Sequence, residues 1–145
     1  MSYSRSRFYN YIYTPLRDAR YDEALNYVTR YSVRTRSAAF RKIYDPIIKT
    51  LDVIKQDVIK RGGTADKSRL LFQLARLDIM IEYQKNRGVL DADLADGIKA
   101  ALAEIRRDLG ADKAAREAEA LELALNAVLA YQIAAERRRG EEEWL

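Results

Sequence analysis

Asp78 and Glu82 are the side chains whose spacing most suggests chemistry, because residues four apart share one face of a helix. Inside a helical bundle such carboxylate pairs can hold di-metal centres, but those centres also draw on Glu-x-x-His motifs. The chain has no histidine and no cysteine. That removes zinc sites built on either residue, thiolate nucleophiles, disulfides and every His-based triad or general base. Asp78 and Glu82 are therefore expected to be exposed or paired with Lys85 and Arg76. Tyr44, Tyr83 and Tyr131 could donate protons, but each falls on an apolar stripe and reads as a core tyrosine with a satisfied hydroxyl. No G-x-x-x-x-G-K-S/T phosphate loop, G-x-G-x-x-G turn or H-E-x-x-H pair occurs. Gly62-Gly63 lies between helical segments and lacks the strand a phosphate loop needs. The expectation is a protein that is not an enzyme, with no metal and no cofactor.

The remaining chemistry is charge. Net charge is only +4, but residues 1–73 carry 15 basic and 7 acidic side chains, against 11 and 15 in residues 74–145. Such asymmetry suits one end that meets polyanions and another that meets solvent or a basic partner. The densest basic run is Arg30, Arg34, Arg36, Arg41 and Lys42, with no acid among them. Binding nucleic acid without reading bases requires only spaced Arg and Lys aimed at phosphates. On a helix Lys42 lies beside Arg41, and Lys49 lies two turns on. Arg34, Arg36, Arg41 and Lys42 are candidate phosphate contacts, with Lys85 added on the same grounds. Engaging three single-strand phosphates would give a slope of about −2 in log affinity against log salt. That suits a subunit lining a path in a larger assembly better than an autonomous binder.

These residues need elements to hold them. At 145 residues the chain reads as one domain, all-α, a bundle of about five helices over 18–140. Residues 1–17 read as an aromatic and basic arm, with Tyr3, Phe8, Tyr9, Tyr11 and Tyr13 interleaved with Arg5 and Arg7. Such an arm could pack on a neighbouring subunit or stack on bases. A first helix covers 18–31, with Tyr21, Ala24, Leu25, Val28 and Tyr31 on one face, and a turn follows at 32–36. Ser37, or alternatively Thr35, caps a second helix striped by Ile43, Ile47, Leu51, Ile54 and Val58. Pro46 predicts a kink or a short break there. Gly62-Gly63 ends that helix.

Ser68 caps a third helix to Asn86 or Arg87, apolar nearly all round and so expected at the bundle's centre. Asp91 caps a fourth, with Leu94, Ile98, Leu102, Ile105 and Leu109 inward and Gly110 at its end. Asp112 opens a fifth of about 27 residues, with Leu121, Leu125, Val128, Leu129 and Tyr131 on its buried side. Residues 141–145, Glu-Glu-Glu-Trp-Leu, form an acidic tail. No apolar run approaches the roughly 20 residues of a membrane span, and the first 17 residues lack a signal peptide's apolar region. A cytoplasmic protein with no membrane partner is expected.

Three blocks carry a resemblance. Ser37-Ala38-Ala39-Phe40-Arg41-Lys42-Ile43-Tyr44 resembles the T-S-x-I-R-K-I-Y helix start of the small α-helical subunit of type III-A (Csm-type) CRISPR effector complexes. Tyr83-Gln84-Lys85-Asn86-Arg87 is similar to that family's A-Y-x-x-x-R helix end, and Leu125–Tyr131 to its C-terminal apolar run ending in A-Y. Together the blocks cover most of residues 20–135. Ser37-Ala38 stand where Thr-Ser is usual, and Glu82 where the family has alanine. The resemblance implies a non-catalytic antiviral-defence subunit present in several copies. It would line the path of guide RNA and target RNA and touch the large and backbone subunits and copies of itself. Carried over by position, Arg41, Lys42 and Arg87 would be its phosphate contacts. The competing expectation is a helical protein–protein adaptor whose basic edge docks an acidic partner.

Overall fold

In the computed structural model the described residues are 4–35, 37–61 and 67–133, the side chains of 57–61 excepted. Tyr9–Tyr13 form a π-helical turn that continues into α1 (Thr14–Arg17). There follow α2 (Tyr21–Val28), α3 (Ser37–Arg61), α4 (Lys67–Asn86), α5 (Ala92–Arg107) and α6 (Asp112–Val128), and a second π-helical turn, Leu129–Ile133. The described residues contain no strand, and the all-α bundle expected from periodicity is present with six helices, the first of them short. No helix among them is long and apolar enough to cross a membrane.

The stripe Ile43, Ile47, Leu51 and Ile54 is buried along α3, as its three- and four-residue spacing requires. Val58, the fifth member of that stripe, and the glycine pair at 62–63 lie outside what is described. Pro46 does not break α3, which runs through it. The carbonyl of Pro46 itself accepts from Thr50 Oγ1 at 3.1 Å. Asp91 caps α5 as expected, its Oδ1 accepting from the Leu94 amide at 3.1 Å. Glycines at positive φ, Gly88 at 75° and Gly110 at 91°, turn the chain after α4 and after α5.

Helix α6 is the centre of the bundle. It packs against α1, α2, α3 and α5, whereas α4 packs mainly on α3 and α5. The reason lies in side-chain size. Buried Ala114, Ala118, Ala120, Ala124 and Ala127 let neighbouring helices approach α6 closely, while Leu121, Leu125 and Val128 fill the spaces between. The expectation that the third main helix is central is thus corrected. One face of α4, Leu70, Leu74, Leu77 and Ile81, is buried, but Leu71, Phe72, Ile79 and Tyr83 are exposed.

The N-terminal segment is also corrected, from an arm to part of the core. Phe8, Ile12, Tyr13 and Leu16 are buried in the same cluster as the later helices. Asp93, in the first turn of α5, holds this segment in place. Its carboxylate accepts from the amides of Arg7 at 2.8 Å and Phe8 at 3.0 Å, and from the Tyr31 hydroxyl at 2.6 Å. A carboxylate at the first amides of a helical run satisfies donors that have no partner within the helix. Gly97 completes the contact, since a Cβ there would lie 2.4 Å from Ser6 Oγ and 2.7 Å from Phe8 Cδ1. On α2, Ala24 and Val28 are buried, but Tyr21 and Leu25, expected inward, face solvent.

Candidate nucleic-acid interface

Buried neighbours fix the direction of the basic run. Phe40 and Ile43 are fully buried and flank Arg41 and Lys42 in sequence, so the two cations project from the opposite side of α3. Both are exposed, and neither makes an ion pair with a described residue; Asp45, one turn on, does not pair with Arg41. Arg34 is exposed on a tethered loop. Its amide donates to Asp91 Oδ2 at 3.0 Å, and the next residue, Thr35, accepts from the Asp91 amide at 2.9 Å. The same aspartate thus caps α5 and anchors the approach to α3. Lys49 is also exposed and lies on the α4 side of α3. Arg36 lies outside the described residues.

The other two candidates differ from each other. Lys85 is tied to Asp96 Oδ1 at 2.9 Å, a bridge from α4 to α5 that raises the ammonium pKa through the carboxylate hydrogen bond. Its charge is engaged within the protein. Arg87, just past the end of α4, is exposed and lies over the Tyr83 ring at 5.6 Å to the centroid. Tyr83 is therefore a surface ring and not a core tyrosine; Tyr131 is exposed as well. Tyr44 is half-buried, and its hydroxyl donates to Asn126 Oδ1 across α3 and α6.

The tyrosines that fill the core are Tyr13 and Tyr31, each donating to a carboxylate at 2.6 Å: Tyr13 to Glu104 and Tyr31 to Asp93. Burial and the adjacent carboxylate push both phenols well above their ordinary value, so they remain protonated donors. Helical spacing placed Tyr31 on an inward face, where it lies, but not Tyr13, whose acceptor Glu104 is 91 residues away.

Carboxylates elsewhere serve packing. Asp78 and Glu82, expected to be exposed or paired with Lys85 and Arg76, are partly exposed and both meet Lys99 of α5, at 4.0 Å and 2.5 Å. Arg17 donates to Glu104 at 2.5 Å, and Lys55 pairs with Asp52 at 3.2 Å and with Glu122. Among the described residues no group of three or more acids is placed to hold a metal ion. Glu117, buried on α6, has an Oε1 with no hydrogen-bond partner. Burial, the hydrogen bond to Asp108 and the nearby Glu104 raise its carboxyl from 4.5 to about 8. Burial pushes Asp108 up as well, but hydrogen bonds from Glu117, Arg107 and Lys113 outweigh it and hold that carboxyl low.

A groove of about 1030 Å³ opens between α3 and α4. Pro46, Val53, Ile79 and Met80 supply apolar surface, and Lys49 and Arg76 are cations on its lining. Arg76 is exposed and makes no ion pair with a described residue, so of the two alternatives for Asp78 and Glu82 a pairing with Arg76 is not the one found. No protein-family model, curated protein or solved structure matches this chain.

Proposed function

We propose that the chain is a non-catalytic small subunit of a type III CRISPR ribonucleoprotein that holds RNA through sequence-independent phosphate contacts. The carrying observation is that Arg41 and Lys42, exposed on the first turns of α3, have no ion-pair partner among the described residues. Many of the other cations, including Arg17, Lys55, Lys85 and Lys99, are committed to carboxylates. Leaving two adjacent charges unpaired favours a polyanion over internal packing. The first turn of α3 carries no acidic residue, so the helix dipole adds to the field of these cations. Arg34, on its tethered loop, extends the same reading, and Arg87 supports a second contact beside an exposed aromatic ring. Guide and target RNA, the large and backbone subunits and further copies of the chain are the partners this reading entails.

The second reading is a helical adaptor that meets only protein. The exposed apolar side chains of α4, Phe72, Ile79 and Tyr83, favour it. Reversing charge at Arg41 and Lys42 separates the two. The RNA reading expects assembly to survive while target RNA is retained less well per assembled particle. Failed assembly with unchanged RNA retention per particle supports the adaptor.

A further inference from the structure

The α3–α4 groove has a character that neither the bundle nor the RNA reading uses. Its apolar surface includes Val53, 46% exposed, and Ile79, 70% exposed, which offer a partner's apolar side chains something to cover. Its charges have one sign: Lys49, Arg69 and Arg76 lie on the lining, and no carboxylate is among the described lining residues. A second copy pairing this face with itself would bring like charges together, because a two-fold contact sets each patch against its own equivalent. The occupant that fits is an acidic segment with large apolar anchors.

The chain contains one. Residues 141–145, outside the described residues, read Glu-Glu-Glu-Trp-Leu. Three carboxylates complement Lys49 and Arg76, and Trp144 and Leu145 supply apolar area for the Val53–Ile79 surface. Tryptophan is among the strongest anchors of docked segments because it combines a large area with one hydrogen-bond donor. Gln73, on the same lining, offers an amide oxygen to the indole N–H. The groove volume is at the upper end of the range that holds compact ligands, ample for two side chains and their backbone. We infer that the α3–α4 groove is the docking site for residues 141–145 of this chain. The inference does not depend on RNA binding.

Trp144 is the only tryptophan, so its fluorescence reports this contact alone in the full chain. The expected result is emission shifted to the blue of the free peptide Glu-Glu-Glu-Trp-Leu, with protection from acrylamide quenching. Ile79→Asp, and separately Lys49→Glu with Arg76→Glu, should return emission and quenching to the free-peptide values while far-ultraviolet circular dichroism stays unchanged. Ile79 and Arg76 are exposed, so these variants retain the core. A shift independent of protein concentration places the segment in its own groove, and a concentration-dependent one places it in another copy's groove; both support the inference. Emission equal to that of the free peptide overturns it. So does a shift that survives both groove variants. If single-stranded RNA binding is lost in Lys49→Glu with Arg76→Glu while wild-type Trp144 is solvent-like, the groove belongs to RNA and the inference fails. A dimer that persists after Trp144→Ala with Leu145→Ala and is lost in Ile79→Asp gives the groove to a second copy and also overturns it.

Discussion

The Tyr31 hydroxyl donates to Asp93 Oδ2 at 2.6 Å, joining the segment after α2 to the first turn of α5. The same carboxylate accepts from the amides of Arg7 and Phe8, so three parts of the chain meet at one buried-edge acid. Tyr31→Phe removes one donor and leaves the other two in place. Hydrogen bonds to charged groups contribute about 1.5–3 kcal/mol, and the loss of unfolding free energy should fall in that range. Asp93→Ala leaves two amides and a phenol without their acceptor and should cost more. Urea denaturation of both single variants and the double variant checks this, with the double expected to be sub-additive.

Gly97 tests the placement of residues 4–17. Alanine ordinarily favours a helix interior over glycine by roughly 1 kcal/mol. Here the added methyl group meets Ser6 Oγ and Phe8 Cδ1 inside van der Waals distance, and overpacking of this kind costs about 1–3 kcal/mol. Gly97→Ala should therefore lower the denaturation midpoint despite its better helix propensity. A raised midpoint would mean that the N-terminal segment does not pack on α5.

Glu117 sets a pH dependence whose sign follows from its raised carboxyl. Between about 4.5 and about 8 the folded chain keeps a proton that the unfolded chain has released. Stability from this group is present in full below 4.5 and is lost as pH rises through 8, at up to about 1.4 kcal/mol per pH unit. The facing groups are Asp108, Glu104 and Lys113. Glu117→Gln keeps the shape and removes the titration. The variant should gain stability relative to wild type as pH increases from 5 to 8, by an amount on the order of a few kcal/mol. A difference that does not vary with pH would show that Glu117 ionises normally.

Lys85→Gln separates an internal bridge from an RNA contact. With Asp96 as its partner, the loss should be about 0.5 kcal/mol of stability, the usual scale for an exposed pair, and RNA retention should not change.

How legible the fold was depended on distance along the chain. Ile43, Ile47, Leu51 and Ile54 announced their face because helical spacing is a local property, and Asp91 was readable as a cap because its partner is three residues on. The burial of Phe8, Ile12 and Tyr13 was not readable. Ile12 and Tyr13 lie in a π-helical turn that departs from the ordinary 3.6-residue period, and the acid that secures the segment at Phe8 lies more than 80 residues away. Helix α4 misled for another reason. Counting apolar residues does not tell how many neighbours a helix has, and Ala-rich α6 took the central position. In the candidate site, Arg41 and Lys42 are exposed where the pattern put them, while Lys85 meets Asp96 across a turn that charge counting does not see.

The central claim is tested most directly by the salt dependence of target-RNA retention by the assembled particle, wild type against Arg41→Gln with Lys42→Gln. Each phosphate contact on a single strand contributes about 0.7 to the slope of log affinity against log salt. If both cations meet phosphates, the slope should become shallower by about 1.4, with assembly unchanged. An unchanged slope on intact particles would contradict the account.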